Sequence, residues 1–151
     1  MEKNQKTITD LKGLTRIIND GNQGYASAAE TTDNRDLKAV FLKYADQRAA
    51  YAMELKAHIA QHGGDSSAEQ KGSSGTLHQI WADIRQALGR KDNPAILGAI
   101  ETAEQAAIEK YDRVLEDYAA HLDHMVLLQR QRTGILEALK EIQKYHLRLM
   151  H

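Results

Sequence analysis

The chain has 151 residues, of which 42% are hydrophobic and 27% charged, a composition typical of one globular domain with a single core. Its 20 basic and 21 acidic residues leave a net charge of −1. The chain therefore lacks the basic excess that would indicate a nucleic-acid partner. The absence of cysteine excludes disulfides, thiolate metal sites and a cysteine nucleophile. Because no apolar run approaches the roughly 20 residues of a membrane span and the N-terminus lacks a secretion signal, we expect a cytoplasmic protein without a membrane partner.

Composition and apolar periodicity together predict an all-α protein. The chain has one proline and many alanine, glutamate, lysine, leucine and glutamine residues. Apolar residues at helical spacing predict helices over about residues 8–31, 34–62, 76–88, 94–119 and 123–150, after a flexible tail over residues 1–6. Gly63 and Gly64 are predicted to end the second helix as a C-terminal cap. Asn93 is predicted to be an N-cap that places Pro94 at the first helical position.

The connections between the four long helices predict how these helices pack. Short connections join the first helix to the second and the third to the fourth, so each pair forms an antiparallel hairpin. The connection from Gly63 to Asp92 spans about 30 residues, includes the short helix, and is long enough to cross the bundle. One long crossover between two hairpins predicts a ferritin-like four-helix bundle, with residues 7–151 as its single domain.

Polar side chains interrupt the apolar inner faces of the predicted helices when residues are placed at about 100° per position. The predicted buried polar residues are Asn22, Arg48, Glu104, Gln131 and Arg132. Because a buried charge is costly unless it is paired, we expect these side chains to satisfy one another in a hydrogen-bonded ion network. This polar layer would take the place of the dimetal site found in the interior of ferritin-like di-iron bundles.

A metal site inside the bundle is the alternative interpretation. Di-iron bundles use Glu-x-x-His pairs, which this sequence lacks, and the nearest spacing is Glu54 to His58. The alternative ligand set for iron or manganese is Glu54, His58, Glu104 and His146. Inward-pointing Arg48 and Arg132 argue against it, because a dimetal layer needs carboxylates there. Without a metal, Glu54 and His58 are predicted to form a polar pair at the rim of the bundle.

Another group of potential ligands lies near the turn between the last two long helices. If the backbone is helical there, Asp117, His121 and His124 share one side and could bind zinc or nickel. The competing interpretation is a solvated helix end. Enzymatic chemistry has no support, because no nucleophile elbow and no phosphate-binding glycine loop is present.

Four stretches of the chain resemble one family. They are DGNQGY (20–25), DLKAVFLKYADQRAAYAMEL (36–55), LHQIWADIRQAL (77–88) and ETAEQAAIEKYDRVLED (101–117). Over residues 7–145 the chain is similar to a bacterial family of ferritin-like four-helix bundles classed as domain of unknown function 2383. The resemblance implies a cytoplasmic bacterial protein with a link to stress or metal biology, and no reaction.

The resemblance also implies inward acidic positions at Glu54 and Glu104. The family pattern continues from Arg130 and Gln131 to a histidine where this chain has Leu139, and acidic residues are expected at Gln105 and frequent at Gln23. Each departure removes a metal ligand. The resemblance therefore favours a bundle without a complete interior metal site in this chain.

Three functional hypotheses remain open at this stage. The first is a non-catalytic structural or stress-associated bundle, expected to be a homo-oligomer, most simply a dimer, because Val126, Leu136 and Leu147 lie off the predicted inner face. The second is a metal-binding protein that uses iron or manganese. The third is a module that binds a partner helix or a small molecule of unspecified chemistry.

Overall fold

The computed structural model describes residues 2–64, 75–117 and 122–150. These ranges contain five α-helices and no strand, which confirms the all-α prediction. The helices are α1 (Glu2–Thr31), α2 (Arg35–Gln61), α3 (Gly75–Gly89), α4 (Asn93–Asp117) and α5 (Leu122–Met150). The helix α1 begins at Glu2 rather than near residue 8, so the segment predicted as a tail is helical from Glu2. His121, one of the predicted ligands near the last turn, lies outside the described ranges.

Polar caps explain where the helices begin. The side chain of Asn34 accepts hydrogen bonds from the backbone N–H groups of Asp36 and Leu37 at the start of α2. At the start of α4 the cap is Asp92 rather than the predicted Asn93, because the Asp92 carboxylate accepts from the backbone N–H of Ala95. The side chain of Asn93 instead accepts a 3.1 Å hydrogen bond from the hydroxyl of Thr32 at the end of α1.

Glycine ends α2 as the sequence predicts. The backbone N–H of Gly63 donates to the carbonyl of Ala60, and that of Gly64 donates to the carbonyl of Ile59, which is the Schellman pattern. Gly63 adopts a φ of +83°, a left-handed conformation that glycine reaches without steric cost. This cap fixes His62 as the last residue before the chain turns away from the helix axis.

Contacts at the helix ends define the arrangement of the bundle. Helices α1 and α2 pack as one hairpin, α4 and α5 pack as the other, and α3 packs on α4 and α1. The Nζ of Lys6, near the start of α1, lies 3.2 Å from the carboxylate of Asp117 at the end of α4. His58, near the end of α2, contacts His124 at the start of α5. Helix α1 is therefore antiparallel to α4 and α2 is antiparallel to α5. It follows that α2 runs parallel to α4.

The inner faces of the helices form one apolar core that includes Leu14, Phe41, Leu55, Ile100 and Ile135. One residue differs from the sequence-based assignment of α5. Leu136, predicted on an outer face, is partly buried against the core.

Some apolar side chains stay on the outside of the bundle. Val126 is 62% exposed and Leu147 is 60% exposed. The predicted homodimer that would cover them stays a prediction. Among the described residues, no helix combines the length and apolar character needed to cross a membrane.

Candidate metal centre

A closed ion pair occupies the middle of the bundle. The two terminal nitrogens of Arg48 lie 2.7 and 2.5 Å from the two carboxylate oxygens of Glu104, and each side chain is only 1% exposed. The hydroxyl of Tyr25 donates to the same carboxylate at 2.8 Å. Burial disfavours the charged guanidinium, but the charge and hydrogen bonds of Glu104 outweigh it, so the pKa of Arg48 lies above its ordinary value. With these bonds, both carboxylate oxygens of Glu104 already accept hydrogen bonds.

A second polar group lies nearer the seam between α2 and α5. The buried amide of Gln131 accepts a 2.7 Å hydrogen bond from the hydroxyl of Tyr111, and burial raises the pKa of that tyrosine. The same amide donates to the Tyr51 carbonyl and to the Glu54 carboxylate. Arg130 completes the group by donating to Glu54 at 2.6 Å. These bonds satisfy buried polar atoms, which is the general requirement for polar groups in a core.

The other residues of the predicted buried network lie apart from Arg48 and Glu104. Asn22 donates its amide to the backbone carbonyl of Ala45 at 2.7 Å, which joins α1 to α2. Arg132 turns toward the surface and pairs with Asp112 on α4 at 2.5 Å. The helical angle predicts which face of the helix carries a residue, but not where the end of a long side chain lies. An arginine at the edge of the inner face can therefore extend to solvent.

The structure does not bring the alternative ligands Glu54, His58, Glu104 and His146 together. Glu54 pairs with Arg130 and not with His58, which also separates the predicted rim pair. Glu104 pairs with Arg48. His146 pairs with Glu101 at 2.9 Å, on the side of α5 that faces α4. The acidic positions implied by the family resemblance thus do not fit a metal in the bundle interior.

His58 instead belongs to a cluster at one end of the bundle. The ligand atoms of His58, His62, Asp123 and His124 all lie within 4.8 Å of one another. The Nε2 of His58 is 2.5 Å from the Nδ1 of His124, and the Nε2 of His62 is 3.3 Å from a carboxylate oxygen of Asp123. The three imidazole rings contact one another, with centroids 4.6 to 4.7 Å apart. We call these four residues the histidine cluster.

Local helix structure explains the convergence of the histidine cluster. His58 and His62 are four residues apart at the end of α2, so both project from the same face. Asp123 and His124 are in the first turn of α5. Because α2 and α5 are antiparallel, the end of one helix meets the start of the other, and the cap at Gly63 stops α2 at the level of Asp123.

The histidine cluster is graded from buried to exposed. His58 and His124 are buried, whereas the side chain of His62 is 27% exposed and that of Asp123 is 59% exposed. Burial, followed by the neighbouring His62, lowers the pKa of His58, although Asp123 opposes this. The pKa of Asp123 is also lowered: partial desolvation opposes the shift, and the charge and backbone N–H of His124 outweigh it. Both shifts favour the deprotonated forms that bind metals.

The donor set has the composition of a transition-metal site. Three imidazoles and one carboxylate are sufficient for four-coordinate binding of zinc, whose bonds of about 2.0–2.2 Å to such ligands place donors about 3.3 Å apart. The four ligand atoms lie within 4.8 Å of one another, so rotamer adjustments of about 1 Å would bring them into coordination. Among the residues that the structure describes, no other group of three or more histidine and acidic side chains converges in this way.

The sequence-based prediction joined His124 to Asp117 and His121, which are close in the chain, and did not include His62. Asp117 pairs with Lys6 instead, and His121 lies outside the described residues. The signal for His62 is in the sequence, because His58 and His62 lie four apart just before Gly63. In a bundle where the second helix is antiparallel to the last one, that end would lie beside Asp123 and His124.

The fold and the site define an all-α bundle of two hairpins with an imidazole-rich cluster at one end of the seam between them. The chain belongs to the family described as Domain of unknown function (DUF2383), whose model matches residues 6–117. The match includes His58 and His62 and ends before Asp123 and His124. No curated protein and no solved structure matches the chain.

Proposed function

We propose that this protein binds one divalent transition-metal ion per chain at the histidine cluster. The observation that carries the proposal is the convergence of three imidazoles and one carboxylate from two different helices within 4.8 Å. Protonated imidazoles this close together would repel one another, whereas a bound cation requires them in the neutral form. A cation bound there would replace ring–ring contacts with coordinate bonds.

The donor types favour a particular class of ion. Imidazole suits zinc, copper, iron and nickel, whereas carboxylate-rich sites suit magnesium, calcium and manganese. Of the two ions considered from the sequence for the bundle interior, iron is compatible with this donor set and manganese is disfavoured. Zinc fits four ligands in a tetrahedral arrangement without redox chemistry, and is therefore the first ion to test.

The buried pair of Arg48 and Glu104 supports a structural role for the middle of the bundle. Its charges neutralise each other, and Tyr25 engages the same carboxylate. The guanidinium lies 5.4 Å from the centre of the Tyr25 ring, close enough for a cation–π contact. We call Arg48, Glu104 and Tyr25 the interior layer. In this proposal the interior layer holds the helices in register, and the histidine cluster binds the metal ion.

Isothermal titration calorimetry with zinc on untagged, metal-stripped protein tests the proposal. We expect a stoichiometry of one ion per chain, weaker binding of manganese, and no measurable binding of magnesium. His124→Gln should greatly weaken zinc binding, whereas the matched control His146→Gln changes a histidine on the same helix that pairs with Glu101 and should leave binding unchanged. Equal loss in both variants, or wild-type protein that binds no zinc, would overturn the proposal.

A further inference from the structure

Polar side chains cross-link the seam between α2 and α5 at three levels. At its far end, Lys43 and Tyr44 on α2 both donate to Glu141 on α5. In its middle, Glu54 accepts from Arg130 and Gln131. At its near end lies the histidine cluster. The backbone cap of α2 places this last contact beside the long crossover that joins the two hairpins.

An open groove of about 650 Å³ lies along this seam. Its lining includes Gln47 and Tyr51 from α2 and Val126, Arg130 and Gly134 from α5. A Cβ added at Gly134 would stand 1.9 Å from the hydroxyl of Tyr51, so the glycine is what lets this tyrosine lie against α5. The side chains of α2 and α5 therefore leave part of the seam unfilled, next to the turn of α5 that carries Asp123 and His124.

The ligands of the histidine cluster are divided equally between the two hairpins. His58 lies in α2 and His62 is its C-cap, in the first hairpin, and Asp123 and His124 lie in α5, in the second. Neither pair provides four ligands alone. An ion that gains full coordination only when both helix ends are in place must favour the closed seam over any arrangement in which they separate.

We propose, on the basis of the proposed function, that the bound ion is a clasp that holds the two hairpins together at this end of the bundle. Metal occupancy then controls how often the end of α2 and the start of α5 separate. The physical reason is linkage: a ligand that binds the closed form alone lowers the population of the open form by a factor of about 1 + [ion]/Kd. The opposite end of the seam, cross-linked through Glu141, is not coupled to the ion in this way.

Hydrogen exchange measured by mass spectrometry on the full chain tests the clasp. Exchange is followed in peptides that cover residues 55–62 and 122–130, with and without zinc at about a hundred times its Kd, and zinc binding is measured on the same samples by calorimetry. We expect slower exchange in both peptides, by up to about 100-fold. A peptide over residues 36–44 is the internal reference and should not change, and magnesium replaces zinc as the control ion.

A double variant separates binding from clasping. Asp123→Asn with His124→Gln removes the ligands of α5 and leaves His58 and His62, an i, i+4 pair that can still bind zinc weakly. At saturating zinc this variant should show slower exchange in residues 55–62 and unchanged exchange in residues 122–130. The clasp predicts protection of both peptides only when both ligand pairs are present.

The outcomes distinguish failure of the clasp from failure of metal binding. Wild-type protein that binds no zinc in the calorimeter overturns both proposals. Zinc binding without slower exchange in residues 122–130 overturns the clasp and leaves the metal site standing. Slower exchange in residues 36–44 by the same factor also overturns the clasp, because it would show a global rather than a local effect.

Discussion

The interior layer and the histidine cluster both join ionisable side chains across helices, yet they are built differently. Arg48 and Glu104 are oppositely charged, fully buried and bonded in a bidentate pair. The histidine cluster has three groups of the same kind, lies partly exposed at a helix end, and includes a carboxylate that is mostly in solvent. The first arrangement neutralises its own charge, and the second gathers four side chains that can each offer one ligand atom to a metal.

This difference shows why burial of a charged residue does not by itself indicate a ligand site. A carboxylate that already accepts two guanidinium bonds and a hydroxyl bond cannot bind a metal without leaving an unpaired arginine behind, and that costs several kcal/mol. The histidine cluster holds no arginine, so a bound ion would leave no such cation unpaired there. The composition of the partners, more than depth in the core, therefore distinguishes the interior ion pair from the candidate metal site.

The largest effect is predicted for a substitution that disrupts the interior layer. Glu104→Leu leaves Arg48 charged and unpaired in the core, and we expect a loss of about 3–5 kcal/mol in the free energy of unfolding. Urea denaturation followed by circular dichroism measures it. The triple variant Tyr25→Phe, Arg48→Met and Glu104→Leu removes the charges and the dependent hydroxyl together, and should recover most of the loss. A triple variant as unstable as the single one would contradict the closed-pair account.

The second prediction sharpens the contrast at the other end of the molecule. His124→Gln removes one ligand, and we expect zinc affinity to fall by more than about 100-fold, since even outer-shell partners of metal ligands contribute 10- to 100-fold. Glu104→Asp shortens the interior carboxylate and should leave zinc affinity unchanged. If the two variants weaken zinc binding equally, the division between structural layer and binding site is wrong.

A smaller effect is expected at the glycine that ends α2. Gly63→Ala places a side chain at a φ of +83°, and we expect a loss of about 1 kcal/mol in unfolding free energy because an L-residue is strained there. Gly89→Ala is the matched control, since a Cβ at either position meets nothing within 4 Å and only Gly63 has a positive φ. Equal stability of the two variants would show that the cap is not under this constraint.

The smallest predicted effect is a pH dependence of the metal-free protein. Burial and His62 lower the pKa of His58, so the unfolded chain binds more protons than the folded one as pH falls through the usual histidine range near about 6.5. Stability should therefore decrease as pH falls below about 6.5. His58→Gln should show a shallower decrease between pH 7.5 and 5.5 in thermal unfolding. A slope that is unchanged or steeper in the variant would contradict this assignment.

Much of the fold was predictable because it depends on local chemistry. Apolar spacing located the helices, Gly63 and Gly64 located the end of α2, and the length of the crossover indicated two hairpins joined by one long connection. The start of α4 was displaced by one residue because Asp92 and Asn93 are both good caps. In the structure Asp92 accepts from the backbone N–H of Ala95, and Asn93 is engaged with Thr32.

The candidate site was harder to predict because it depends on register between helices that are distant in the chain. Helical angle placed Arg48 and Glu104 inward, but it could not show that Arg132 reaches Asp112 instead. Sequence proximity joined His124 to Asp117, whereas its Nδ1 lies 2.5 Å from the Nε2 of His58, 66 positions away in the chain. A spacing rule within one helix cannot predict this contact, because the contact depends on which turn of α2 lies beside which turn of α5.

The most direct test of the central claim is an anomalous difference map from crystals grown with one equivalent of zinc, measured at the zinc absorption edge. The account predicts one strong peak per chain between His58, His62, Asp123 and His124, with ligand distances of about 2.0–2.2 Å. A peak beside Glu104 or His146, or no peak within reach of the histidine cluster, would contradict it.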